Sequence, residues 1–423
     1  MDLLPYTRRE FLRTAGKGLG LVAFAAAAPR FLTQSLLAGN PSPEKDMPVM
    51  VLIQLAGGND GLNTVVPYED DNYYRLRPTI GLKEKDGIHR LAANTALHPS
   101  LAALAGLSKD GKLSIVRNVG YPNPNRSHFR STEIWETATD ANINGYSGWV
   151  GRYFDAACDG TGKDPVGVHT TGILPQSFMA EKPHNTFGLT GGGGGRGKAN
   201  KRPGAPRLAD SSEILSELND APLAGDHSPD DNAEYLRHTL MDAIITETRV
   251  QEIIAKDKPE AEYPNSGIGR SLKQIAALIA ANLETRVYYA SHGGFDTHAN
   301  QLGGHARILK DLADAMAAFQ KDMDKRGLAS RVTTMTFSEF GRRPSENGTA
   351  GTDHGTAAPL FVMGRDIKAP LVGEAPDLHI EKNKDIVFET DFRQVYSTLL
   401  RKRMGVDPAK VIAGKPFAEL NFV

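Results

Sequence analysis

The chain has 423 residues, with 49 Lys+Arg against 50 Asp+Glu, 40% apolar, 23% charged and 7% aromatic residues, the proportions of a soluble globular protein. They exclude a collagen, a coiled coil and a predominantly disordered chain. Basic residues scattered over a near-neutral whole also leave no electrostatic footprint for DNA or RNA.

Residues 1–39 are expected to be an export signal rather than part of the fold. Thr7-Arg8-Arg9-Glu10-Phe11-Leu12-Arg13 precedes an apolar, Ala-rich run at 18–28 and then Pro29, the order of a basic n-region, a short h-region and a cleavage zone. The run is too short to span a bilayer, so no transmembrane span remains after its removal. Paired arginines ahead of Phe-Leu resemble the twin-arginine signal, which makes the twin-arginine translocation machinery the expected partner and the periplasm or exterior the expected destination. Cys158 is the sole cysteine; an exported chain of this kind has no internal disulfide and relies on its own core. Residues 40–423 exceed the ~250–300 residues one simple core usually fills, which predicts one large domain with an insertion, or two domains.

After Pro48, residues 49–55 (Val-Met-Val-Leu-Ile-Gln-Leu) read as a strand buried on both faces, followed by Gly57-Gly58-Asn59-Asp60-Gly61. Ser100 can cap a short helix at 101–107, and 113–119 reads as the next strand. A Pro- and Asn-rich loop at 121–125 leads to a helix over 127–137. The stretch at about 184–230, with five consecutive glycines at 191–195 and a basic loop at 196–207, is expected to be an exposed, flexible insertion. Its residues 192–198 nearly spell a phosphate-binding loop, but Ala199 stands where Ser or Thr is needed to hold Mg²⁺. Beyond it, Leu272, Ile275, Ala276, Ile279 and Leu283 keep helical spacing, and a strand at 286–290 follows. The order continues with a helix at 306–321, strands at 332–337 and 360–363, and a closing helix at 392–404. This alternation predicts an α/β fold with a mostly parallel central sheet and helices on both faces.

In such sheets ligands bind beyond the carboxyl ends of the strands. Asp60, Ser127, Asp296 and Glu339 each follow a predicted strand and are expected to meet at one rim. Asp296-x-His298 and Asp353-His354 set carboxylate beside imidazole, the donor set of a hard or borderline divalent ion: Zn, Mn, Mg or Ca. Asp377-x-His379 repeats the first spacing, so spacing alone does not select a ligand; His292 and His305 flank the first pair as further candidates. Ser127 lies at a helix start, where its hydroxyl either caps the helix, a role Asn125 can also take, or meets an anion held by the helix dipole. Arg130 is placed to clamp oxygens bidentately, and His128 to protonate a leaving group. No Gly-x-Ser-x-Gly elbow is present.

Leu-Ala-Gly-Gly-Asn-Asp-Gly-Leu-Asn-Thr at 55–64, Asn-Pro-Asn-Arg-Ser-His-Phe-Arg-Ser-Thr at 123–132, Gly-Gly-Phe-Asp-Thr-His at 293–298, Thr-Phe-Ser-Glu-Phe-Gly-Arg-Arg at 336–343 and Gly-Thr-Asp-His-Gly-Thr-Ala at 351–357 resemble the exported bacterial family catalogued as domain of unknown function fifteen-oh-one. Through it the chain is similar to the alkaline phosphatase and sulfatase superfamily. The resemblance implies one or two divalent ions held by Asp60, Asp296, His298, Glu339, Asp353 and His354, with Ser127 as nucleophile and a small anionic ester as substrate. Where the superfamily carries Asp-His-Gly this chain reads Glu339-Phe340-Gly341, and Phe340 removes one imidazole unless Asp353 or another group replaces it. Two functions follow as expectations: a metal-dependent hydrolase of phosphate or sulfate esters, or a degenerate relative retained as a cell-envelope binding or assembly factor.

Overall fold

A computed structural model describes residues 47–158, 162, 164–189 and 246–423. The export signal and most of the expected insertion, from 190 on, lie outside the described residues.

The central sheet contains β1 (Val49–Ala56), β2 (Leu113–Gly120), β3 (Gly167–His169), β4 (Thr186–Gly188), β5 (Val287–Gly293), β6 (Val332–Phe337), β7 (Ala358–Gly364), β8 (Leu371–Val372) and β9 (Thr390–Asp391). Its order is β8-β2-β7-β6-β1-β5-β3-β4, with β9 also paired to β2. Only β7 runs antiparallel to its neighbours β2 and β6; every other pairing is parallel. The α/β fold with a mostly parallel sheet therefore stands as expected. The direction of β7 was not legible, because an apolar run reads the same in either sense.

Period-two alternation in β1 assigns its side chains to two helical layers. Val49, Val51, Ile53 and Leu55 pack with Leu104 of α1 (Ala102–Lys109), Leu272 and Ile275 of α4 (Gly267–Ala280) and Leu309 and Leu312 of α5 (Gln301–Lys325). Met50 and Leu52 pack on the opposite face with Ile134 and Trp135 of α2 (His128–Thr137), Val150 and Phe154 of α3 (Trp149–Ala157) and Val395 and Leu399 of α6 (Phe392–Lys402). Helix α5 starts earlier than the apolar stripe that predicted it, running through Gly303 and Gly304. Strand β5 likewise runs past the expected 290 and takes in His292.

Register brings the strand ends together. Gln54 of β1 lies opposite Ser291 of β5 and Phe337 of β6, so the loops 57–60, 294–298 and 338–342 leave the same edge at neighbouring points. Gly57 and Gly58 make the close approach possible with φ of 120° and 80°, values an L side chain rarely adopts. A Cβ on Gly57 would lie 2.4 Å from the Asp296 nitrogen, and one on Gly58 2.3 Å from the Phe340 ring. The loop after β6 continues into a short ribbon, Arg342–Glu346 paired with Thr352–His354, which returns His354 to the same edge.

Candidate metal centre

The turn before α2 sets the first group. Tyr121 Oη accepts from the Asn125 amide at 3.1 Å, and Asn125 Oδ1 accepts from the Ser127 amide at 2.8 Å. Ser127 occupies the N-cap position with extended backbone, yet its side chain caps no amide. Its hydroxyl is exposed, one residue ahead of His128.

Three imidazoles converge from three loops, and each has its Nδ1 directed at an acceptor. His128 Nδ1 donates to Glu339 Oε1 at 2.8 Å, His354 Nδ1 to the Arg126 carbonyl at 2.9 Å, and His298 Nδ1 to Asp353 Oδ1 at 3.3 Å. A carbonyl or carboxylate oxygen can only accept, so each Nδ1 carries a proton there, and in the neutral imidazole that leaves the lone pair on Nε2. Those nitrogens gather around Asp296. His298 Nε2 is 2.9 Å and His354 Nε2 3.2 Å from Asp296 Oδ1, His128 Nε2 is 3.7 Å from Oδ2, and His298 and His354 Nε2 are 3.0 Å apart. Ligand atoms of His128, Asp296 and His354 all lie within 4.8 Å of one another. Two nitrogens bound at about 2.1 Å to a tetrahedral ion stand roughly 3.4 Å apart, inside this spread. The Arg342 guanidinium, 3.3 Å from His298 Nε2 and bonded to Asp296 Oδ1, supplies one positive charge here, and the donor set of His128, Asp296 and His354 fits a divalent ion beside it.

The supporting groups fit as well. Glu339 is buried; its Oε1 also accepts from the Gly57 amide at 2.8 Å, while its Oε2 is buried without a hydrogen-bond partner among the described residues. Buried carboxylate oxygens seldom stay unpaired. Asp353 is held below the usual carboxylate range, first by the Asn347 side-chain amide and then by His298 against an opposing contribution from burial. Carboxylates and carbonyls behind ligating imidazoles orient them and raise their basicity. Phe340 is buried, its ring centroid 4.9 Å from that of His128 and 4.7 Å from that of His354. The ring thus stands as an apolar wall against both imidazoles.

One cation is built in. The Arg342 side chain is fully buried and donates to Asp296 Oδ1 and to the carbonyls of Gly57, Gly58, Phe295 and Thr352. Burial raises the pKa of Asp296, but hydrogen bonding and charge from Arg342, with His354 and His298 behind them, bring it down to about 2. Arg342 thus ties the loops after β1 and β5 to the ribbon that carries His354. The sequence signalled it only as the first of two arginines after the Glu339 motif.

Several expected site residues take other roles. Asp60 is wholly buried: it forms an ion pair with Arg77 at 2.7 Å, accepts from Gln301 Nε2 at 2.5 Å, and lies 3.4 Å from the Asn63 amide. Burial works against its ionisation, but the charge and hydrogen bond of Arg77 outweigh it and hold the pKa at about 2. Its oxygens are committed to fastening the loop after β1, so Asp60 is a structural anchor rather than a member of the cluster. Arg130 is bound to Glu133 at 2.6 Å and to the carbonyls of Ala141 and Ile143 at 3.0 and 2.6 Å; it secures the loop after α2 and is no oxygen clamp. His128, expected as an acid, stands among the ligands instead. Glu339 and Asp353, expected as ligands, contact the imidazoles from behind. His292 Nε2 donates to the Ile308 carbonyl and His305 Nε2 to Asn59 Oδ1, so of the competing imidazoles it is His298 that joins Asp296.

A family model described as "Protein of unknown function (DUF1501)" matches residues 48–416. No curated protein matches the chain in sequence at a significant level. Solved structures that align with it include Ps i-CgsB in complex with k-i-k-neocarrahexaose (TM-score 0.39, 9% identity, 87% of this chain and 75% of that one). They also include the lipoteichoic acid synthase LtaP from Listeria monocytogenes (0.37, 8%, 83% and 77%) and the C-terminal periplasmic domain of EcEptC from Escherichia coli (0.35, 7%, 77% and 75%).

Proposed function

The chain belongs to that family of unknown function, and we propose from the site itself that it is an exported, metal-dependent hydrolase of phosphate or sulfate esters. The observation that carries this reading is the convergence of three Nε2 atoms on Asp296, with Ser127, whose side chain caps no amide, one residue before His128.

His128, Asp296, His298 and His354 would hold the ion, and nitrogen-rich donors favour Zn over Mn, Mg or Ca. A divalent ion bound there supplies Lewis acidity toward ester oxygens and lowers the pKa of an adjacent hydroxyl. The chain's own groups do the rest. Ser127 Oγ, at the start of α2, is the nucleophile: it loses its proton to solvent and attacks phosphorus or sulfur as the ester's bond to the leaving alcohol breaks, the alcohol takes a proton from water, and a second water then hydrolyses the phospho- or sulfo-serine. The free amides and positive dipole end of α2 receive the ester's anionic oxygens. Glu339 and Asp353 keep the imidazoles in the tautomer that binds. Arg342 holds Asp296 ionised and fixed, so the cluster is preorganised before substrate arrives.

Export rests on the residues before 40. No helix among the described residues is long and apolar enough to cross a membrane, which suits passage through the twin-arginine machinery.

The test is turnover of p-nitrophenyl phosphate and p-nitrophenyl sulfate by protein purified without chelator, with metal content measured on the same sample. Ser127→Ala is expected to lower turnover at least a thousandfold while metal content is retained. Protein that carries no divalent metal and shows no Ser127-dependent turnover sinks the proposal. The second reading, a binding or assembly factor, draws on the guanidinium already seated on Asp296 and on Phe340 in a ligand position. It predicts no metal-dependent rise in Tm and no turnover of either ester.

A further inference from the structure

Beside the cluster lies a second group of charges that the hydrolytic reading leaves unused. Arg126 immediately precedes Ser127, and its carbonyl accepts from His354. Arg343 follows Arg342, the residue that holds Asp296. Both guanidiniums converge on one carboxylate: Arg126 is ion-paired with Asp385 Oδ2, and Arg343 Nε lies 3.7 Å from Asp385 Oδ1. The Asp385 loop is docked on the ribbon beside Arg343 through the Asn383 amide, which donates to Ser345 Oγ at 3.2 Å. Exposed Lys382 and Lys384 flank Asp385 in the chain.

The pairing is unbalanced. Asp385 faces two guanidiniums, and the charge of Arg343 also reaches Asp353; with exposed Lys382 and Lys384 just before Asp385, the group keeps an excess positive charge. Arg343 Nε and Asp385 Oδ1 are each buried without a hydrogen-bond partner among the described residues, so a donor fork suited to planar anions is left short of acceptors. The arginine side chains remain reachable, 44% exposed at Arg126 and 25% at Arg343.

We propose that Arg126 and Arg343, converging on Asp385, form a second anion subsite next to the cluster, so that the preferred ester carries another anionic group besides the one cleaved. The subsite acts on binding, not on bond breaking. It rests on the ester-hydrolase reading for its meaning, but it is measurable without turnover.

The experiment is calorimetric titration of the metal-loaded full chain with inorganic phosphate and with inorganic pyrophosphate. Wild type is expected to bind pyrophosphate at least tenfold more tightly than phosphate. Arg126→Gln and Arg343→Gln each shrink that margin about tenfold, and Arg343→Lys restores part of it. Equal affinity for the two anions in wild type, or a margin that survives both Gln variants, overturns the subsite. Failure to cleave any aryl ester would sink the hydrolase reading while leaving this titration to decide the subsite by itself. Thermal melts of the variants separate a lost subsite from a lost fold.

Discussion

Replacing Asp60 by Asn separates a structural carboxylate from a metal ligand. In the structure Asp60 and Arg77 have no exposed side-chain surface and meet at 2.7 Å. The substitution leaves the Arg77 guanidinium buried beside Asn63 Oδ1 and the Pro344 carbonyl, both at 2.7 Å, which accept its protons without neutralising it. Removing one partner of a buried ion pair costs about 3–5 kcal/mol. With an unfolding entropy of about 2.1 cal/mol/K per residue, a body of roughly 375 residues shifts by about 1 °C per 0.8 kcal/mol, so Tm falls by about 4–6 °C. Acid should mimic the mutation. The folded pKa of about 2 lies below the unfolded value of 3.8, so the carboxylate's contribution is present above pH 3.8 and vanishes as pH falls through 2. Scanning calorimetry of both proteins between pH 7 and pH 3, with metal content measured at pH 7, is the assay. The expected result is a lower Tm for the variant at pH 7, a gap that narrows toward acid, and unchanged metal content. A variant that loses its metal while keeping its Tm would refute the assignment of Asp60 as an anchor.

Other outcomes follow from the same contacts. Glu339→Gln removes the carboxylate behind His128 and should weaken zinc binding about 10–100-fold, read by competition with a chromogenic chelator; unchanged affinity would count against its orienting role. Burial first, with the charge of Arg77 and Arg342 adding to it, lowers the pKa of His305 from 6.5 to about 4 in the fold, Asp60 opposing. Its neutral form is favoured in the native state, so stability is full above pH 6.5 and falls as pH drops toward 4, by about 3 kcal/mol; urea titrations at pH 7 and pH 4.5 read the loss, which His305→Gln should reduce. Gly58→Ala places a methyl 2.3 Å from the Phe340 ring at a φ of 80° and should cost at least ~2 kcal/mol. A melt within 1 °C of wild type would show that the loop yields.

Much of this architecture was legible in the chain. β1 was readable because a run apolar on both faces belongs inside a parallel sheet, and the polar residues after each such run fell at one edge because parallel strands share a direction. His298 and His354 were readable as neighbours of Asp296 and Asp353. The misreadings have a common cause. Asp60 looks like a ligand until Arg77, 17 positions later, is seen to neutralise it, and no periodicity announces such a pair. Arg130 looks free until the loop after α2 folds back onto it. The strand-end pattern located charges at the rim, but which of them remain uncommitted depends on partners supplied by distant loops.

The most direct test is anomalous diffraction from crystals of the protein grown with zinc and without chelator. The account predicts a strong peak bounded by Nε2 of His128, His298 and His354 and by the Asp296 carboxylate, lost in a His354→Ala crystal. No peak there, or one centred on Asp60, would contradict it.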